Sequence, residues 1–158
     1  MNATHFDNMR ERYISFFGEE SVPDGAIDAI ESALKLILPD DVKKIGTFYR
    51  GGMLGGKSHN ALEPTGPAMN VVDETLRLRS AIQLPHRFVV LAEPANSLIV
   101  LDTESRASGA PAVIWCDAND VVYLDDVSAM ATHPETWPSY SAFFEYLLDE
   151  ETEERSSA

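Results

Sequence analysis

The first half of the chain places apolar residues at steps of three and four, which is the spacing of amphipathic helices. "THFDNMRERYISFF" predicts a first helix over residues 4–17. A second helix is predicted to continue through Ile37, which would face the core, and to end at Pro39. "PDDVKKIGTFYR" predicts a short helix ended by Gly51 and Gly52, and "VVDETLRLRSAI" predicts a longer one.

The second half of the chain changes to short runs rich in β-branched and aromatic residues. "RFVVLAE", "SLIVLDT", "PAVIWCD" and "VVYLDD" are separated by the turn-forming segments "PAN", "ESRASG" and "AND". Connections this short join antiparallel neighbours and leave no room for helical crossovers. We therefore expect a meander of four strands, followed by a closing helix in "PSYSAFFEYLLDEE".

These elements predict an α+β fold, with a single, mostly antiparallel sheet of about four to six strands and helices packed around it. A chain of 158 residues suits one domain with one sizeable core. We place that domain at residues 1–150, with the helix over 4–17 as an extra element at its start. Residues 151–158 are strongly polar, and we expect them to form an acidic, disordered tail.

The stretch "GGMLGGKS" contains the nucleotide-binding pattern G-x-x-x-x-G-K-[ST], formed by Gly51, Gly56, Lys57 and Ser58. A working phosphate loop lies between a buried strand and a helix. Here a predicted helix precedes the glycines, and two prolines interrupt the segment that follows. We therefore expect no nucleotide binding, and we interpret the glycines as a helix stop followed by a mobile loop.

The net charge of the chain limits the kinds of molecule that it can bind. The chain has 26 acidic and 12 basic residues, a formal net charge of -14. Such a surface repels nucleic acid and anionic lipid and attracts basic proteins, although solubility alone also accounts for an acidic composition. No apolar run approaches the roughly 20 residues that span a membrane, and the N-terminus lacks the apolar stretch of a signal peptide. We expect a cytoplasmic protein that binds neither nucleic acid nor membrane.

Residues able to carry catalysis are few and scattered. The single cysteine, Cys116, lies in an apolar run, which favours a buried core thiol over a reactive one. The pattern predicts no cofactor, no metal and no catalytic residue, so we expect that the protein is not an enzyme. No metal-ligand spacing connects the four histidines, which are His5, His59, His86 and His133.

Acidic residues near the end of the predicted meander are the candidates for a partner-binding site. They occupy the turn "DAND", interpreted as a tight hairpin, and the positions just beyond the last predicted strand. Glu104, in the turn "TESRASG", is a weaker candidate. A solvated, hydrophilic turn is the alternative interpretation for each residue alone. The four aspartates are Asp117, Asp120, Asp125 and Asp126.

Three aromatic residues near this segment allow two interpretations. Trp115 and Tyr123, on adjacent predicted strands, fit core or half-buried sheet positions. Trp137 stands between Pro134 and Pro138 and is predicted to pin the loop that leads into the last helix. Alternatively, it anchors a partner, because tryptophan is enriched at binding hot spots.

Several segments match a family pattern in order over residues 21–150. "LPDD" at 38–41 and the glycine pair 51–52 match its L-P-x-D/E motif and the turn that ends its short helix. "FVVLAEPANSLIVLD" and "APAVIWCD" are similar to its central strands, and "YSAFFEYLLDE" is similar to its closing helix. The chain therefore resembles the SUKH superfamily, which includes a fungal cell-wall-synthesis regulator and many bacterial immunity proteins. Arg50 and Gly46 depart from the pattern.

The resemblance implies an α+β fold without catalysis. Bacterial members of this superfamily neutralise a polymorphic or contact-dependent toxin encoded beside them by binding it directly. We therefore expect an immunity protein, a monomer or weak dimer, that binds a cognate toxin domain such as a basic nuclease and blocks its active site with an acidic surface. A regulatory or scaffold module that binds a housekeeping protein is the alternative, because fold alone does not set function.

Overall fold

The computed structural model describes residues 3–104 and 110–157, so most of the predicted turn "ESRASG" lies outside the described residues. The helices are α1 (Ala3–Phe17), α2 (Ala26–Leu34), α3 (Asp40–Ile45), α4 (Val71–Ile82) and α5 (Tyr140–Ser156). The strands are β1 (Gly52–Leu54), β2 (Lys57–His59), β3 (Phe88–Ala92), β4 (Ser97–Asp102), β5 (Val113–Asp117) and β6 (Glu135–Trp137). Two 3-10 helices, Ala118–Tyr123 and Val127–Ala129, lie between β5 and β6.

The strands form a four-stranded sheet and a separate two-stranded hairpin, and both are antiparallel. In the larger sheet the order is β3-β4-β5-β6, so each strand lies beside its neighbour in sequence. The β1–β2 hairpin is linked to this sheet where the Asn60 N–H donates to the Leu91 carbonyl at 2.7 Å. The predicted α+β class with an antiparallel sheet is confirmed, and the hairpin is an addition that the sequence pattern did not predict.

The prediction of a strand in "VVYLDD" is wrong. These residues continue the 3-10 helix Ala118–Tyr123 and the turn after it, and the fourth strand of the sheet is β6. The Asp117 carboxylate starts the 3-10 helix by accepting from the Asn119 N–H at 2.8 Å. This cap turns the chain out of the sheet directly after β5, so "DAND" begins a helix and is not a hairpin turn.

The helix α2 ends at Leu34, earlier than predicted. Lys35 adopts a left-handed conformation with φ 57°, and its N–H donates back to the Glu31 carbonyl. The Glu31 carboxylate also accepts from the Leu38 N–H at 2.7 Å, which holds the following residues out of helical geometry. As a result Ile37, predicted to face the core, is 66% exposed.

The next two helices match their predictions to different degrees. α3 ends at Ile45, and residues 46–48 continue as hydrogen-bonded turns, so the regular helix stops before the glycine pair 51–52. α4 has the predicted bounds. The Asn70 side chain fixes its start by accepting from the Asp73 N–H at 2.8 Å.

The closing helix α5 continues to Ser156, so residues 151–156 of the predicted disordered tail are helical. The Arg155 guanidinium lies 4.5 Å from the centre of the Phe16 ring and pairs with Glu151 at 2.8 Å. Glu151 also accepts from the Gly55 N–H at 3.0 Å. These contacts with α1 and with the hairpin order the last turns, although local composition alone favours a frayed end.

Both faces of the larger sheet are covered, because successive side chains of a strand point to opposite faces. α1, α2, α3 and α5 enclose the larger core, which contains Val89, Leu91, Ile99 and Leu101 on the sheet side. The second core holds Phe88, Val90, Leu98 and Val100, and the segment between β5 and β6 covers it. In the larger core, Tyr13, Phe48, Tyr49 and Phe144 form an aromatic cluster.

The turn of the β1–β2 hairpin packs closely against α5. Gly55 has φ +59°, and a Cβ at this position would lie 2.6 Å from the Leu147 carbonyl oxygen. Gly56 has a similar backbone, with φ +75°, but a Cβ there would meet open space. Substitutions at these two glycines therefore distinguish the cost of backbone strain, present at both, from the cost of close packing, present only at Gly55.

We expect Gly55→Ala to lower the free energy of unfolding by roughly 2 to 4 kcal/mol, because a left-handed backbone and a steric collision both oppose it. Gly56→Ala, the matched control, should cost only about 1 to 2 kcal/mol from its backbone alone. Urea denaturation of both variants measures the difference. Equal losses would show that contact with α5 imposes no requirement for glycine at position 55.

Candidate functional site

The phosphate-loop pattern does not have phosphate-loop geometry. Gly51 precedes β1, Gly56 lies in the hairpin turn, and Lys57 and Ser58 belong to β2. A strand therefore stands where a phosphate loop requires the N-terminus of a helix. The stretch predicted as a mobile loop is a β-hairpin.

The lysine and the first glycine of this pattern have packing roles. The Lys57 ammonium lies 4.9 Å from the centre of the Trp115 ring, a cation–π contact. Gly51 has φ +100°, and a Cβ there would lie 2.6 Å from the Asn60 carbonyl oxygen. Close approach between the start of the hairpin and its end therefore explains the glycine.

The four aspartates predicted as one cluster have different environments. Asp120 is only 2% exposed, and its carboxylate accepts from the Ala131 and Thr132 N–H groups, each at 3.0 Å. These two bonds close residues 120–132 into a loop over the second core. Asp120 is a buried structural residue, so its prediction as a partner contact is wrong.

Asp117 and Asp125 lie at opposite ends of β4. Asp117 is paired with Ser97 at the start of that strand. Asp125 binds the Arg87 guanidinium at 2.7 Å, and Arg87 also binds Asp102 at the end of the strand, at 3.1 Å. The length of β4 corresponds to about 16 Å, so these two carboxylates do not act as one cluster.

The remaining acidic candidates, Asp126 and Glu104, are exposed. The Asp126 carboxylate accepts from the Ser128 hydroxyl. The Glu104 N–H donates to the Asp102 carboxylate at 3.0 Å, which places Glu104 at the same end of the sheet as the Arg87 pair. Negative charge is therefore concentrated at this end, around Asp102 and Asp125.

Two apolar side chains beside Asp125 are exposed to solvent. Val122 is 72% exposed and Tyr123 is 43% exposed. Their neighbours Val121 and Leu124 pack on the second core instead. Together, Val122, Tyr123, Asp125 and Asp126 form an acidic–apolar patch.

Asp125 and Asp126 of this patch are predicted site residues, whereas Tyr123 was predicted in a strand and the exposure of Val122 and Tyr123 was not predicted. A detectable signal was present, because apolar residues recur here at intervals of three, which is the period of a 3-10 helix and not of a strand. The apolar residues at these intervals all contact the second core: Val121, Leu124, Val127 and Met130. The residues between them consequently face outward.

Trp137 lies in β6 and not in a loop. Its half-buried ring lies 4.9 Å from the Phe143 ring and 5.0 Å from the Tyr146 ring, measured between centroids. These contacts hold α5 against the edge of the sheet. Trp115 is also half-buried, as predicted, and its indole N–H donates to the Ser97 hydroxyl at 2.8 Å.

Burial favours the neutral forms of two titratable groups, the Cys116 thiol and the His59 imidazole. Burial raises the pKa of the Cys116 thiol to about 11, which suits an inert core residue. Burial lowers the pKa of His59 to about 4. Its Nδ1–H donates to the Asn60 carbonyl at 2.7 Å, and its Nε2 accepts from the Tyr140 hydroxyl at 2.9 Å. Both nitrogen atoms of the ring are therefore occupied within the core.

The described residues, 3–104 and 110–157, contain neither a metal site nor a membrane-spanning helix. No three histidine, cysteine or acidic side chains in these ranges are placed to hold a metal ion. No helix in them is long and apolar enough to cross a membrane. No protein-family model matches the chain, and a search of curated proteins finds no significant match.

We expect Asp120→Ala to lower the free energy of unfolding by about 3 kcal/mol, because two backbone N–H groups lose a charged, buried acceptor. Asp126→Ala, at an exposed position, should change it by less than about 0.5 kcal/mol. Urea denaturation measures both values, and hydrogen exchange at the Ala131 and Thr132 amides should accelerate in Asp120→Ala. Unchanged exchange would contradict the closing role of Asp120.

Stability should fall between pH 7 and pH 5 because of His59. Its pKa in the folded protein, about 4, lies below the ordinary value of 6.5. The unfolded chain therefore binds a proton that the folded chain does not, and stability is lost as the pH falls below 6.5. The expected loss at pH 5 is about 2 kcal/mol.

Urea denaturation at both pH values, with His59→Gln, tests this dependence. His59→Gln should lose less stability than the wild type between pH 7 and pH 5. The exposed His133→Gln is the control and should keep the full loss. A loss in His59→Gln as large as that of the wild type would assign the dependence to other groups.

Proposed function

We propose that this protein is an immunity protein that binds a basic toxin domain and blocks its active site, without catalysing a reaction. The acidic–apolar patch carries this proposal. In it, Val122 (72% exposed) and Tyr123 (43% exposed) lie beside the exposed carboxylates of Asp125 and Asp126. On this proposal the protein acts in the cytoplasm of the cell that makes it.

The composition of the patch suits a protein partner. Covering exposed apolar area stabilises a complex by about 25 cal/mol per Å², and tyrosine is enriched among the residues that dominate binding energy. Carboxylates at the rim stay hydrated and attract a basic partner over a longer distance. An apolar centre with a charged rim is the usual arrangement of a protein interface.

The 12 basic residues of the protein offset fewer than half of its 26 acidic residues, which leaves the net charge of -14. Arg77 illustrates this, because it contacts both Glu74 and Glu93. A positively charged partner therefore meets a predominantly negative surface. The described arginines that pair with a carboxylate are Arg10, Arg12, Arg50, Arg77, Arg87 and Arg155.

The resemblance to the SUKH superfamily supports the same proposal. The "LPDD" segment at 38–41 leads into α3, and the "YSAFFEYLLDE" segment forms most of α5. Immunity proteins of that superfamily act by binding a toxin encoded beside them. The resemblance and the patch thus support a binding function independently of each other.

Binding to the toxin domain that this proposal predicts beside the gene tests it. We expect Tyr123→Ala to raise the dissociation rate constant at least about tenfold, because it removes an apolar anchor. Asp125→Asn combined with Asp126→Asn should slow association severalfold at low salt. Glu153→Gln combined with Glu154→Gln makes the same change in charge near the end of α5, and it should have a smaller effect on association.

Two results would contradict this proposal. If the purified protein neither binds the toxin domain nor protects cells from it, the immunity function is rejected. If the wild type captures a basic housekeeping protein and Tyr123→Ala does not, the same patch belongs to a regulatory or scaffold module.

A further inference from the structure

A groove of about 330 Å³ lies where α3 and α5 begin, beside the end of β4. Its apolar lining includes Ile37, Ala112 and Pro138, and its acidic lining is Asp40, Asp41 and Asp102. We propose that this groove receives a lysine or arginine side chain of a protein partner. This inference rests on the proposed binding function and names the chemistry of one contact.

The apolar side of the groove is left uncovered by the early end of α2. Ile37 is 66% exposed, whereas the next residue, Leu38, is 2% exposed. Covering an exposed aliphatic side chain of this size stabilises a complex. The aliphatic stem of a long basic side chain would cover Ile37 in a complex.

Of the three carboxylates that line the groove, only that of Asp102 is paired with a cation among the described residues. Among the described residues that line it, three are carboxylates and none is lysine or arginine. Asp41 accepts from the Ser141 N–H at 2.9 Å, and Asp102 binds Arg87 at 3.1 Å. The Asp40 side chain is exposed and has no hydrogen bond or ion pair to another described residue. A partner's cation therefore finds an available carboxylate.

The combination of the two sides favours an organic cation over a metal ion. The described carboxylates here do not converge as metal ligands do. An apolar wall beside carboxylates matches lysine and arginine, whose stems pack on apolar surface while their charged ends stay with polar groups. The groove volume suffices for one such side chain.

The groove adjoins the acidic–apolar patch through Arg87. Its Nε donates to Asp102 in the groove at 3.1 Å, and its Nη1 contacts Asp125 in the patch at 2.7 Å. One guanidinium group thus spans the boundary between the two. A single partner surface can cover both, with its basic side chain in the groove.

Titration of the ¹⁵N-labelled full chain with n-butylguanidinium, at constant ionic strength, tests the groove without any toxin. This cation reproduces the end of an arginine side chain. We expect saturable amide shifts at Ile37, Thr103 and Ala112, with a dissociation constant on the order of millimolar. Guanidinium, which has the charge without the stem, should bind at least about threefold more weakly.

Single substitutions then test the contributions of the apolar side and of the acidic side of the groove to binding. Ile37→Ser and Asp40→Asn should each weaken n-butylguanidinium binding about threefold or more. Glu154→Gln, which removes an exposed carboxylate about 21 Å along α5 from the groove, should leave binding unchanged. Circular dichroism of each variant establishes that it is folded.

Two results would contradict the proposal that the groove binds a basic side chain. One is amide shifts spread over the whole acidic surface, and the other is equal affinity for n-butylguanidinium and guanidinium. The groove also fails if the toxin domain binds the wild type and Ile37→Ser equally and n-butylguanidinium gives no localised shifts. In that case the proposed function stands. Localised shifts in a protein that does not bind the toxin domain would reject the proposed function and support the groove.

Discussion

The arrangement of the proposed binding surface depends on one buried carboxylate, that of Asp120. It joins the first 3-10 helix after β5 to residues 131 and 132, close to the start of β6, through two hydrogen bonds of 3.0 Å. The closed loop packs Leu124 and its apolar neighbours onto the second face of the sheet. Because a 3-10 helix has three residues per turn, this burial leaves Val122 and Tyr123 outside. One buried carboxylate therefore sets which side chains the proposed binding surface exposes.

Local sequence patterns were sufficient to predict one helix and the three central strands of the larger sheet. α4, capped by Asn70, and the central strands β3, β4 and β5 were predicted from periodicity and composition. Contacts between distant residues decided the rest. The order of residues 151–156 depends on Arg155 meeting Phe16, and the hairpin depends on Gly55 fitting against α5. The nucleotide-binding pattern is likewise explained by packing, since Gly51 lets the two ends of the hairpin approach closely and Lys57 covers Trp115.

The candidate site was predicted in part, and the errors follow one pattern. Composition indicated an exposed acidic surface, and the exposure of Asp125 and Asp126 agrees with that expectation. Asp120 was misassigned because its hydrogen-bond partners follow it by 11 and 12 residues. Ile37 and Tyr123 were both expected inside and both lie outside, at the two places where periodicity assigned the wrong element. Departures from local rules concentrate at functional sites in proteins, and these two departures lie at the proposed binding surface.

Arg87 explains how acidic groups from two parts of the chain are held together. Asp102 ends β4 and Asp125 follows the 3-10 helix, so their like charges oppose this placement. One guanidinium that contacts both carboxylates offsets the repulsion, while the Asp125 side chain stays 63% exposed and the Asp102 side chain 13% exposed. Its single positive charge still leaves the two carboxylates negative in sum. A basic partner side chain would therefore extend an existing network of charges and would not have to displace Arg87. This reasoning makes Arg87 a positioning residue of the surface, although its own charge is opposite to the one that attracts the partner.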